Sequence, residues 1–105
     1  MIVVRVLMVI HRGKRDEAIR LLRDRDRILE KEGVPKAARM YVRKLASPGS
    51  PEIIREYEFK NFSHYEDAWA KRMKPTEESK KWAAQFDSLV VPGTMGYEVY
   101  DLVES

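Results

Sequence analysis

Cysteine is absent from the 105 residues, which excludes disulfides, thiolate zinc sites, iron–sulfur clusters and thiol nucleophiles together. Histidine is scarce. His11 and His64 stand far apart, which argues against a protein-built transition-metal site, and no metal or cofactor is expected. Glycine and proline number five each, too few for a low-complexity tract or a linker, and nothing repeats internally. The opening apolar run, Ile2 to Ile10, is short, is interrupted by Arg5, and lacks a basic leader and a small-residue cleavage site. Neither a signal peptide nor a membrane span is therefore expected, and the cytoplasm is the expected location. What remains is 44% hydrophobic and 35% charged, the composition of one folded domain over residues 1–105. A chain of this length buries roughly two-thirds of its unfolded surface and needs no covalent staple.

The 20 basic and 17 acidic residues leave a net charge of +3, but the two signs are finely mixed. Arg15-Asp16-Glu17 and Arg23-Asp24-Arg25-Asp26-Arg27 alternate within single turns. A nucleic-acid binder usually gathers its cations on one surface, so the basic pI carries little weight.

Residues 2–11, rich in Val, Ile and Leu, read as a central strand covered on both faces. Between Asp16 and Glu32, Ala18, Leu21, Leu22, Ile28 and Leu29 recur at helical spacing, and Gly33 with Pro35 supplies the stop. Residues 36–46 and 52–60 read as strands joined through Ser47-Pro48-Gly49-Ser50-Pro51, a concentration of turn formers, and so as an antiparallel hairpin. Ser63-His64-Tyr65-Glu66 has the pattern of a capping box, after which Tyr65, Ala68, Trp69, Arg72 and Met73 share one helix face. Pro75 breaks this second helix. Trp82, Phe86, Leu89 and Val90 continue at helical spacing, Pro92-Gly93 closes the segment, and 94–103 alternates like a final strand. The order β-α-β-β-α-β, with right-handed crossovers, predicts an α+β, ferredoxin-like fold: a four-stranded antiparallel sheet with the first and third strands in the middle and the helices on one face.

Centring the hairpin on Pro48-Gly49 sets Arg39 opposite Glu58, Tyr41 opposite Glu56, Met40 opposite Tyr57 and Ala38 opposite Phe59. Ala38, Met40, Val42, Ile53, Tyr57 and Phe59 then face the helices. The other face carries Arg39, Tyr41, Arg43, Ile54, Glu56 and Glu58, together with Arg5, Leu7, Val9, Glu98, Tyr100 and Leu102. Three readings suit this mixed face. An open solvated sheet leaves the aliphatic residues as an exposed patch. A nucleic-acid platform needs aromatic residues on the central strands flanked by basic charge, whereas the first strand has none and the third offers Glu56 and Glu58. A homodimer with the two sheets face to face, Arg and Glu pairing across the two-fold axis, satisfies both kinds of residue and is the expected arrangement.

The element order, the Arg12-Gly13-Lys14 turn, and the stretches Glu58-Phe59-Lys60-Asn61-Phe62-Ser63-His64-Tyr65-Glu66-Asp67-Ala68-Trp69 and Pro75-Thr76-Glu77-Glu78-Ser79-Lys80-Lys81-Trp82 resemble the dimeric α+β barrel superfamily. Within it the chain is most similar to NIPSNAP-type domains, with antibiotic-biosynthesis monooxygenases as neighbours. The resemblance covers essentially the whole chain. It implies a barrel made of two sheets and, among known activities, haem degradation, cofactor-independent oxygenation of aromatic polyphenols, or polyketide cyclisation. The haem-degrading branch has an Asn on the first strand, a Trp on the second helix and a His on the segment that follows. Trp69 matches, but Val6 stands at the strand position and residues 76–88 contain no His, so haem degradation is not expected.

Cofactor-independent chemistry needs a dry cavity that holds a reduced aromatic substrate. Trp69, Trp82, Phe86, Tyr57, Met8, Met40 and Met95 are candidates to line one; equally, they are candidates to fill a core. No residue stands out as a base. Arg25 is the anomaly, because it falls in the middle of the stripe of Ala18, Leu22 and Leu29, where an unpaired guanidinium is costly. One answer is an ion pair with Asp101 or Asp26, or a stem that packs while its head reaches water. The other is that Arg25, with Arg55, points into the space between sheet and helices and orients an anionic or phenolic ligand. The expected function is binding of a small apolar or aromatic molecule there, with a metal-free monooxygenase or isomerase, or a purely structural dimer, as the alternatives.

Overall fold

The computed structural model describes residues 1–104; Ser105, the end of the expected domain, lies outside the described residues. The order is β1 (Ile2–Met8), α1 (Arg15–Lys31), β2 (Arg39–Val42), β3 (Ile53–Phe59), α2 (Phe62–Arg72), α3 (Glu77–Asp87) and β4 (Gly96–Asp101). The four strands form one antiparallel sheet in the order β2-β3-β1-β4, as the topology rules predict. All four strands are shorter than their sequence patterns. Beyond Met8, β1 leaves the sheet and makes a single bridge from Ile10 to Val90, where α3 ends.

Strand alternation determines which residues meet the helices. Ile2, Val4, Val6 and Met8 of β1 are buried, while Val3, Arg5 and Leu7 between them are half-buried on the open side. The helices cover one side only, so β1 is not enclosed on both faces as its composition suggests. Leu22 and Leu29 of α1, Ile53 and Tyr57 of β3, and Phe86 of α3 complete the core. Each such side chain contributes about 1.5–3 kcal/mol by leaving water. At the edge of the sheet the cover ends. Val42 and Ala38, expected beneath the helices, are exposed and Met40 is half-buried.

The hairpin register differs from expectation by two residues. Arg39 pairs with Glu56, Met40 with Arg55, Tyr41 with Ile54 and Val42 with Ile53. The turn itself sits where Pro48-Gly49 places it, closed by the Ser50 N–H on the Ser47 carbonyl at 3.2 Å. The ladder continues to Arg43, whose N–H donates to the Glu52 carbonyl at 2.7 Å, so Lys44, Leu45 and Ala46 loop out on one arm against Pro51 alone on the other. Proline has no N–H to extend the ladder, and the Arg43 guanidinium ties the loop to the Ser50 carbonyl at 2.9 Å. A slip of two preserves the side-chain faces; a slip of one would have exchanged them.

Helix ends follow local chemistry. Gly33 has φ +73°, the left-handed conformation that ends α1. Asn61, not Ser63, caps α2: its side chain accepts from the His64 N–H at 2.8 Å, while His64 Nδ1 accepts from the Lys60 N–H at 3.4 Å. His64 thus has the reciprocal role expected of Glu66, because Asn61 offers the same oxygen two residues earlier and the helix begins at Phe62. Thr76 caps α3 by accepting from the Ser79 N–H at 3.2 Å, directly after Pro75.

A partly buried clamp joins the end of α1 to the start of α3. Glu32 accepts from the hydroxyls of Ser79 (2.7 Å) and Thr76 (2.9 Å), and Arg25 lies 3.9 Å from its carboxylate. Burial alone would raise the Glu32 carboxyl, but those hydrogen bonds and the Arg25 charge outweigh it and hold it below the usual carboxylate value. The folded pKa is lower than the unfolded one, so this stabilisation is present above the ordinary carboxylate range and is lost as pH falls through the folded value. Glu32→Gln is expected to cost about 1.5–3 kcal/mol at neutral pH, the range for hydrogen bonds to a charged group. In urea titrations the gap between wild type and variant should narrow below pH 4.5, the ordinary value of this group.

Candidate functional site

Between the sheet and the helices lies a half-open cavity of about 250 Å³. Its floor is Val6 and Met8 of β1 with Arg55 of β3; its walls are Leu22 and Arg25 of α1, Trp69, Arg72 and Met73 at the end of α2, Trp82 and Phe86 of α3, and Met95 and Tyr97 from the last strand region. Strand parity and helix periodicity converge here. Val6 pairs with Arg55 on one side and Tyr97 on the other, so all three project toward the helices. Ligand pockets commonly occupy about 300–1,000 Å³, so this one suits a molecule of one or two rings.

Of the six residues singled out from sequence, Arg25, Arg55, Trp69, Trp82 and Phe86 line the cavity. Tyr57 does not: it is 1% exposed and lies behind the lining, with the guanidinium carbons of Arg55 and Arg72 each 5.2 Å from its ring centre. Met8 and Met95 line the space as expected; Met40 packs against the core instead. Arg72 and Tyr97 were missed. Arg72 had the same signal as Arg25, a cation within an apolar helix face, whereas Tyr97 is recognisable only once its pairing with Val6 is known.

The aromatic rings are held firmly. Trp82 stacks on Phe86 at 4.7 Å with an interplanar angle of 11°, and its indole N–H donates to the Leu21 carbonyl at 2.5 Å. Trp69 meets Tyr97 edge to face at 5.4 Å.

Arg25 is paired with neither Asp101 nor Asp26. It donates to the Ser79 hydroxyl at 2.7 Å and lies over the Trp82 ring at 5.2 Å. Asp26 is taken by Arg55, with which it forms an ion pair, and by the Ala37 N–H at 3.2 Å. Arg72 lies over Trp69 at 5.0 Å and has no carboxylate within 4.0 Å among the described residues. Among the described residues, two buried side-chain polar atoms have no hydrogen-bond partner: Arg25 Nε and the Tyr57 hydroxyl. No cluster of three or more His, Asp or Glu that could hold a metal ion is found among the described residues.

The opposite face of the sheet centres on Glu56. This carboxylate accepts from Arg5 and Arg39, each at 2.9 Å, and from the Tyr41 hydroxyl at 3.3 Å; Arg39 also pairs with Glu58. Burial would raise Glu56, but the hydrogen bonds from Arg5 and Arg39 hold it below the usual carboxylate value. The Arg and Glu residues therefore satisfy one another within a single chain, because the true register brings Arg39 beside Glu56. Around them Met1, Val3, Tyr100 and Leu102 border a broad depression. Among the described residues, no helix is long and apolar enough to cross a membrane.

No protein-family model and no curated protein sequence matches the chain. Solved structures do. A NIPSNAP domain protein from Burkholderia xenovorans superposes with a TM-score of 0.77 at 10% identity, over 98% of this chain and 95% of that one. A NIPSNAP family protein from Agrobacterium tumefaciens gives 0.72 at 14% identity, over 98% and 86%. SnoaB, a cofactor-independent oxygenase from Streptomyces nogalater, gives 0.52 at 11% identity, over 99% and 92%. The chain thus has the ferredoxin-like fold seen in NIPSNAP domains and in antibiotic-biosynthesis monooxygenase-like proteins, and at these identities the likeness is one of fold.

Asp26→Ala is expected to cost about 3–5 kcal/mol, the penalty for orphaning one member of a buried pair, since Arg55 is only 2% exposed. Adding Arg55→Met should recover most of that loss. Chemical denaturation of the single and double variants measures both.

Proposed function

We propose that the protein is a homodimer whose cavity between sheet and helices binds a small aromatic molecule. The observation that carries the binding reading is the cavity itself. Two indoles, a phenol and a phenyl ring surround a space that the core does not fill, and aromatic residues in a pure core would close it, since protein interiors pack to crystal-like density. The dimer reading rests on the other face, where Tyr41, Tyr100 and Leu102 are 44%, 45% and 51% exposed around a charge cluster that already satisfies itself. Such a patch is self-complementary: apolar rim residues cover their counterparts and no ion is left without a partner. The fold is shared with NIPSNAP domain proteins and with a cofactor-independent oxygenase, so it is a framework on which small-molecule chemistry without a cofactor occurs.

Turnover makes a further demand, a proton acceptor beside the substrate. The lining supplies arginines, Tyr97 and the exposed Asp87 at the end of α3, a set better suited to holding a molecule than to deprotonating it. Binding is therefore the reading adopted.

Calorimetric titration with 1-naphthol is expected to give saturable one-to-one binding per chain. Trp69→Leu should weaken it about tenfold, equivalent to about 1.4 kcal/mol. Absence of binding by the wild type would refute the cavity reading. Light scattering should return twice the chain mass of 12.3 kDa, and Tyr100→Glu, which buries a charge against its symmetry mate, should return the single-chain mass.

A further inference from the structure

The arginines around the cavity are out of proportion to what a neutral aromatic ligand requires. Arg25, Arg55 and Arg72 come from three different elements, α1, β3 and α2, and all line the same space. Guanidinium groups do not lose their protons in proteins, so three fixed charges sit together. Arg55 is answered by Asp26. Arg25 has the neutral Ser79 hydroxyl and, at 3.9 Å, the Glu32 carboxylate, which Ser79 and Thr76 also occupy. Its Nε–H is buried and donates to nothing, although the residue is 8% exposed. Arg72 rests on the faces of Tyr57 and Trp69. A ring face offsets part of a cation's charge but offers no oxygen to its N–H groups. The cavity's lining carboxylate, Asp87, is exposed and forms no ion pair with any of the three. Burial, followed by the like charge of Arg72, makes the charged form of Arg25 less favourable than in water. An anion beside these two groups would relieve that repulsion.

We infer that the cavity takes a small aromatic acid, its anionic oxygens on the guanidinium of Arg72, beside the positive charge of Arg25, and its ring against Trp69 and Trp82. This rests on the binding reading above and names the class of ligand. Planar guanidinium groups suit a planar carboxylate or enolate, which accepts two parallel N–H bonds, and the adjoining wall of indoles suits the ring attached to it. The anionic end belongs at the α1–α2 side of the cavity, since Arg25 and Arg72 stand there and Asp87 ends α3.

The test compares benzoate with its neutral isostere benzamide by calorimetry, on wild type and Arg72→Gln. Arg72 makes no ion pair or side-chain hydrogen bond among the described residues, so the variant should fold, as circular dichroism would verify. Arg25→Gln serves as the second variant. Wild type should bind benzoate at least about tenfold more tightly than benzamide, as expected where charge-assisted bonds replace neutral ones. Arg72→Gln should bring benzoate down to the benzamide level and leave benzamide within about twofold of its wild-type affinity. Equal affinities in the wild type would overturn the anion site while leaving the aromatic cavity standing. An equal loss of both probes in Arg72→Gln would make Arg72 a packing residue and would also overturn it. Binding of neither probe would overturn the anion site and the cavity reading together. Sulfate binding as tightly as benzoate would remove the aromatic part of the assignment.

Discussion

Antiparallel pairing of β1 with β3 is the constraint on which the rest of the molecule depends. Their alternation sends Ile2, Val4, Val6 and Met8 inward beside Ile53, Arg55, Tyr57 and Phe59, and sends Arg5 and Glu56 outward as partners. One choice of parity therefore determines the character of both faces of the sheet. It puts a guanidinium on the floor of the helix-side cavity, and on the other side it centres a carboxylate between two arginines.

The two faces handle charge differently. On the open face, Glu56 is satisfied at short range by Arg5, Arg39 and Tyr41, and the face needs nothing further electrostatically. On the helix side, guanidinium groups are balanced largely by ring faces, hydroxyls and one ion pair with Asp26. Burying charge without complete hydrogen bonding is costly, and the fold tolerates it at Arg25, beside the half-buried Arg72, in the wall of the cavity.

Most of the fold was legible in the sequence because its signals are redundant. Hydrophobic period, Gly33, Pro75 and the Ser47–Pro51 turn all mark the same boundaries. The faces were also legible, since a two-residue slip of the hairpin leaves parity unchanged. The register was not: it depended on three residues looping out at Lys44–Ala46, which no local propensity announces. The cap of α2 was misassigned for a related reason, as Asn61 and Ser63 both carry a suitable oxygen and only the helix start decides between them. A cation within an apolar stripe marks Arg72 as clearly as Arg25, and both line the cavity. What it does not reveal is the partner. Asp26, next to Arg25 in sequence, projects to β3 and meets Arg55, whereas Arg25 turns toward Ser79, 54 residues away.

The proposed ligand position is between helices and sheet and not on the open face. Heteronuclear NMR with 1-naphthol added to isotopically labelled protein tests it most directly. The two indole N–H signals, Trp69 and Trp82, and the amides of Val6 and Met8 should shift together and saturate, while the amides of Arg39, Tyr41 and Glu58 stay in place. Shifts concentrated at Tyr41, Glu58 and Tyr100 with unmoved indoles would contradict it.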